Sequence, residues 1–311
     1  MKFTLITLIF VIQLACSGTV TGESMQSEPD QPKTDPSFND RLEEAVEEFY
    51  QTRWGNAQSM FDKLKEDYPD DPRPYFFESM MPFWEYFFVH QKKQLADDFL
   101  DRSEKAVELS EQRLDENPGD TTTVFLLSGL YGYRSLVAAS EKNYRVAMQS
   151  GVTGFGYTRK LLSIDSDRPD ARIGRGMFYY MVGSVPKEVR WVTNVLGVRG
   201  DVEQGFRELE KAAESESTVR YDAMMMLMYL HEKEENIAEA LKYASQLTDR
   251  FNENVIFLYK EAELNDKLGN KDKAARAYKK VIDKNNKHLK DITEISKKRV
   301  DELYALGLIE E

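Results

Sequence analysis

Cysteine is nearly absent from this chain: there is one, Cys16, in 311 residues. Disulfides and paired thiol chemistry are excluded, and a Cys-based zinc site has no ligand set. Histidine is almost as scarce, and the three present, His90, His231 and His288, form no His-x-x-x-His or His-Cys pair. No local metal motif therefore exists, and neither a metal site nor a cofactor is expected. Past the first fifteen residues no apolar run approaches the roughly 20 residues a bilayer crossing needs. Period-two runs of β-branched residues are missing too, which removes the signal of a sheet. Basic residues are in deficit, 42 against 54 acidic for a net charge of −12. A broadly acidic surface repels phosphates, so nucleic acid is not an expected partner.

What is present begins with the leader. "MKFTLITLIFVIQLA" places one Lys before an apolar core, the layout of a secretory signal peptide over residues 1–15. The following Leu14-Ala15-Cys16-Ser17 resembles the lipobox of bacterial lipoproteins, with Gln13 where that motif prefers Leu. The resemblance implies cleavage before Cys16 and lipidation of its sulfur, hence a membrane anchor on the bacterial envelope facing the periplasm, at the outer membrane. A second reading stays open, because Val20-Thr21-Gly22 fits an ordinary signal peptidase site and would release a free periplasmic protein. Residues 16–39 are rich in Pro, Ser, Thr and Gly, and read as a flexible linker with a span of roughly 25 Å.

From residue 40 onward the chain repeats itself. Ala57, Phe61, Leu64 and Pro69 form one set, Ala240, Ala244, Leu247 and Asn252 a second, and Ala274, Tyr278, Val281 and Asn286 a third. Each reads as a helix with a small residue for close approach, apolar residues four and seven places on, and a stop. The last two sets start 34 residues apart, a spacing and pattern that resemble the second helix of the tetratricopeptide repeat. Looser sets start at Ala106, Gly154 and Gly205, spaced by 49, 48 and 51 residues. Together they predict an all-α, right-handed superhelical solenoid of about six tetratricopeptide-like helix pairs over 40–311. Longer repeats fall at about 72–217, regular ones at about 218–287, and a capping helix at about 288–306, with Gly269 closing the helix before the last second helix.

Residues 185–212 interrupt the pattern with Pro186, an apolar stretch through Val189, Val192, Val195 and Leu196, and the turn Gly200-Asp201. Asp201 is placed to cap the next helix, with Gln204 completing a capping box. Some 45 residues from Asp170 onward resemble the tetratricopeptide-repeat-39 family, which includes an outer-mitochondrial-membrane protein of fungi, although Val202 stands where that family usually has Arg. This resemblance implies an adaptor role and no catalytic residue.

The glycines of "SGVTGFGY" lack the Lys-Ser/Thr of a phosphate loop and follow a helix, so close packing explains Gly154. "MMMLM" at 224–228 reads as core filling. Pro82, inside the aromatic run "PYFFESMMPFWEYFFVH", is expected to kink or break its helix. Resemblance to tetratricopeptide superhelices implies that first helices line a concave, peptide-holding face. On them lie Tyr131, Tyr133, Arg134, Arg172, Arg175, Tyr179 and Tyr180. Tyr131 and Tyr179 also occupy the repeat's own packing places. The expectation is a non-enzymatic protein-binding scaffold whose basic, aromatic groove takes a carboxylate-bearing peptide. The alternative is a small-ligand carrier or envelope enzyme with a pocket near Arg172, Arg175 and Asp201.

Overall fold

The computed structural model describes residues 36–164, 168–184 and 200–309. The leader, Cys16 and most of the linker lie outside these residues, as do Ser166 and the apolar stretch from Val189 to Gly197. Thirteen helices and no strand occur among the described residues. They are α1 (Pro36–Tyr50), α2 (Trp54–Asp67), α3 (Pro72–Phe88), α4 (Lys93–Glu116), α5 (Thr121–Ser140), α6 (Tyr144–Ile164) and α7 (Pro169–Gly183). Then follow α8 (Val202–Ala213), α9 (Arg220–Lys233), α10 (Ile237–Arg250), α11 (Val255–Lys267), α12 (Lys271–Lys284) and α13 (Lys290–Ala305).

Every repeat set falls on an even-numbered helix, and its small residue is buried. Ala57, Ala106, Ala240 and Ala274 are each at 0% exposure, and Gly154 and Gly205 are buried as well. Among the described residues the thirteen helices end on α13 after the sixth even-numbered helix. The stops act as their chemistry dictates: α2 ends just before Pro69 and α4 before Pro118, while Asn285 takes the left-handed conformation after α12. Gly269 follows α11 with φ +81°.

Two boundaries differ from the sequence expectation. Helix α1 takes in residues 36–39 of the expected linker, because Phe38 is buried at 1% and stacks edge-on against Tyr68 at 4.8 Å. Helix α3 runs through Pro82 without ending. Aromatic packing on both sides, Phe77 against Phe49 and Trp84 against Phe49 and Phe257, holds it where proline removes a backbone donor.

The chain divides into two compact units. The first includes Glu111–Glu208 and hence α5, α6 and α7. Here Ser128 of α5 and Thr158 of α6 share a 2.7 Å hydrogen bond, and a Cβ on Gly174 of α7 would lie 3.7 Å from Thr158 and 3.9 Å from Ser128. Three helices thus meet on small side chains.

The second unit joins Thr34–Ser110 to Leu209–Glu311. Elements about 140 to 200 residues apart interlock in it. Tyr50 stacks on Phe251 at 5.0 Å, Trp84 meets Phe257 at 5.5 Å, and Phe87 meets Tyr229 at 4.8 Å. Thr52 Oγ1 accepts from the Val255 amide at 3.1 Å, while Asn254 caps α11 with its Oδ1 and donates its amide to the Tyr50 carbonyl at 2.5 Å. In a linear repeat array each repeat touches only its neighbours. This unit departs from that rule, since α1 and α3 touch α9, α10 and α11 far along the chain. The tight "MMMLM" run lies inside it, with Met225, Met226 and Met228 buried as core.

Candidate functional site

In the first unit, Arg168 precedes α7, Pro169 occupies its first turn, and Arg168 Nη1 donates to Thr121 Oγ1 at 2.8 Å. One turn further on, Arg172 Nη1 and Arg175 Nη2 both donate to Glu208 Oε2, at 2.9 and 2.5 Å. Their side chains are 16% and 12% exposed, and that of Glu208 is 12% exposed.

Glu208 reaches the pair because α8 lies close to α7. A Cβ on Gly205 would lie 2.8 Å from the Tyr180 amide nitrogen and 2.9 Å from the Gly176 carbonyl, so only glycine permits the approach. Asp201 caps α8 as the sequence suggests, its Oδ1 accepting from the Gln204 amide at 2.9 Å. The reciprocal arm of the box is replaced, since the Asp201 amide donates instead to the Tyr179 carbonyl at 3.1 Å. One cap thereby fastens two helices.

The remaining residues named from the sequence are distributed unevenly. Tyr131 is half-buried, donates to Glu111 Oε1 at 2.7 Å and stacks on Tyr157 at 5.9 Å. Burial, then the Glu111 carboxylate, holds its phenol protonated far into the alkaline range. Gly154 packs against it, a Cβ there standing 3.0 Å from that of Tyr131. Tyr180 is 1% exposed with its ring edge-on to Phe206 at 5.8 Å, so it belongs to the core between α7 and α8. Tyr133, Arg134 and Tyr179 are half-buried on α5 and α7. Of the seven, the structure brings Arg172 and Arg175 onto one atom and places Tyr131 on a different contact.

Both guanidinium groups meet at the Glu208 carboxylate, and the Arg175 Nε–H is buried without a hydrogen-bond partner among the described residues. A guanidinium fork in this state suits a second carboxylate, which it grips with paired N–H donors. Sequence reasoning found both arginines but missed Glu208. Its only signal was an acid beside Leu209 on the buried face of α8.

The second unit holds a cavity of about 350 Å³ lined by Tyr86, Phe87, His90, Tyr229, Glu232 and Lys260, among others. Lys260, 6% exposed, donates to Glu232 Oε1 at 2.9 Å and to Glu263 Oε2 at 2.6 Å. Lys267 Nζ lies 2.5 Å from Glu232 and 3.2 Å from Glu263. Burial pushes the Glu232 carboxyl up, but the two ammonium groups outweigh it and hold the group below the usual range. Two cations and two anions close on themselves, so this quartet offers a ligand little unpaired charge.

Beside the cavity, Glu85 and His90, at the end of α3, meet Asp291 of α13. His90 Nε2 lies 3.4 Å from Glu85 Oε1 and 3.4 Å from Asp291 Oδ2. Burial and then the Asp291 charge raise the Glu85 carboxyl to about 7, and burial lowers the His90 imidazole. Lys92, on the surface, pairs with Asp291.

No helix among the described residues is long and apolar enough to cross a membrane. The family model for Iml2/Tetratricopeptide repeat protein 39 matches residues 169–297, from α7 into α13. That segment is similar to the family, as the motif around Gly200-Asp201 implied. Comparison with curated proteins gave no match.

Proposed function

We propose that the protein is a non-enzymatic adaptor of the bacterial cell envelope, tethered by a lipid on Cys16, which holds a carboxylate-bearing protein segment on the arginine face of α7. The observation that carries this reading is the cluster of Arg172, Arg175 and Glu208, in which the Arg175 Nε has no hydrogen-bond partner among the described residues. α7 is the first helix of its pair, the kind that presents a binding face in tetratricopeptide modules. The match over residues 169–297 supports a role in protein binding. Tethering suits a leader ending in Leu-Ala-Cys and a polar stretch behind it.

The test is capture from the cell envelope by the natural chain and by a triple variant, Arg172→Gln, Arg175→Gln and Glu208→Gln, which empties the cluster of charge without stranding one partner. A defined protein should be held by the first and lost by the second while both melt at similar temperatures. Retention by the variant would overturn the reading. The anchor is checked separately by labelled palmitate, which should mark the natural chain and leave Cys16→Ser unlabelled; equal labelling contradicts it.

A further inference from the structure

Glu85, His90 and Asp291 are used neither by the repeat packing nor by the arginine face. One nitrogen and two carboxylates converge, their ligand atoms all within 4.8 Å of one another. The two separations from His90 Nε2, 3.4 Å each, are too long for hydrogen bonds. Nε2 is buried and makes no hydrogen bond. Ligands that share a zinc ion at about 2.0–2.1 Å in a tetrahedron stand about 3.4 Å apart. The spacing is that of atoms arranged around a common cation and not of atoms bonded to one another.

We propose that Glu85, His90 and Asp291 bind a divalent transition-metal ion, zinc being the ion whose ligand preference fits best. One imidazole and two carboxylates supply three protein ligands and leave a fourth position to water. The ion ties the end of α3 to the start of α13, residues 200 apart in sequence, so it fastens the second unit where its two chain segments meet. The sequence contained no sign of this, because no two of the ligands sit at a metal-motif spacing.

Lys92 supplies the discriminating handle. Its ammonium pairs with Asp291 Oδ2, the same oxygen that faces His90, yet its side chain is 60% exposed and can swing into water. In the metal-free protein it partly neutralises the site and competes with the ion. Removing it should tighten binding, as an opposing charge a few ångströms away is withdrawn.

The experiment is titration of the intact, chelator-stripped protein with zinc, followed by calorimetry and by melting temperature, with cobalt as a visible-absorption probe of coordination. The expected result is one ion per chain, a raised melting temperature and a cobalt spectrum of low coordination number. His90→Ala should weaken binding at least tenfold, and Lys92→Met, a surface change that leaves the fold intact, should strengthen it about three- to tenfold. Equal zinc affinity in the natural chain and His90→Ala would overturn the site, and so would a Lys92→Met chain that binds zinc no tighter than the natural one.

Discussion

The two units solve the same packing problem with opposite materials. In the unit that includes Glu111–Glu208, helices approach through small residues: Gly154 against Tyr131, Gly205 against the Tyr180 backbone, Ser128 bonded to Thr158. In the unit formed by Thr34–Ser110 and Leu209–Glu311, large rings interlock across elements far apart in sequence, with Trp84 touching Phe49, Tyr50, Phe88 and Phe257. Glycine contacts tolerate no added atom but bury little area. Ring contacts bury much area, and their loss leaves a large void. The arginine pair stands in the glycine-packed unit, while in the aromatic unit Lys260 and Lys267 pair with Glu232 and Glu263.

The largest effect that should expose this contrast is Trp84→Ala. The ring is 1% exposed and central to the aromatic network, so truncation should cost about 3–5 kcal/mol and cooperatively destabilise α1 to α3 together with α9 to α13, read by denaturant melts and amide exchange. Exchange protection lost from α1 to α3 alone would show that the two segments do not form one unit.

Gly205→Ala is the counterpart in the other unit. Its new Cβ meets backbone atoms of Tyr180 and Gly176, which cannot rotate away, and the change should cost about 1–3 kcal/mol while loosening Glu208 from the arginines. Gly156 is a matched control, since nothing lies within 4 Å of its Cβ position in the same helix α6 that carries Gly154. Gly156→Ala should instead stabilise by about 0.5–1 kcal/mol. Equal effects at the two sites would refute close packing as the reason for glycine.

A third test concerns pH. Asp222 of α9 accepts from the Tyr50 hydroxyl at 2.5 Å, and burial raises its carboxyl from 3.8 to about 6 against the opposing pull of that bond. A raised carboxyl favours the folded state in its neutral form, so its contribution is complete below pH 3.8 and disappears as pH rises through about 6. Asp222→Asn should therefore stabilise the protein by about 1–2 kcal/mol at pH 8 and change little at pH 4, measured by urea midpoints. A larger gain at pH 4 than at pH 8 would contradict the assignment.

Much of this architecture was legible because it is local. An apolar residue every three or four positions fixes which face of a helix is buried, and the small residues at 57, 106, 154, 205, 240 and 274 marked the six second helices. Such a pattern does not say against what the face is buried. Nothing in "EEFYQTRWG" states that Tyr50 will meet Phe251, because in a regular array it would meet the next repeat. The same limit hid the charged partners. Arg172 and Arg175 stood out as cations on a first helix, whereas Glu208, Lys260 and Asp291 acquired meaning only when distant segments came together. Pro82 does not end its helix for a related reason, since tertiary packing outweighs a local preference.

The central claim is that the glycine-packed unit carries the partner-binding face and the aromatic unit does not. Photo-crosslinking in the native cell envelope tests it directly, with a benzophenone amino acid placed at Tyr133 on α5 or at Tyr75 on α3. The account predicts a discrete protein adduct from position 133 that disappears in the Arg172→Gln, Arg175→Gln, Glu208→Gln chain, and none from position 75. An adduct at 75 of equal yield, or one at 133 that survives loss of the arginines, would contradict it.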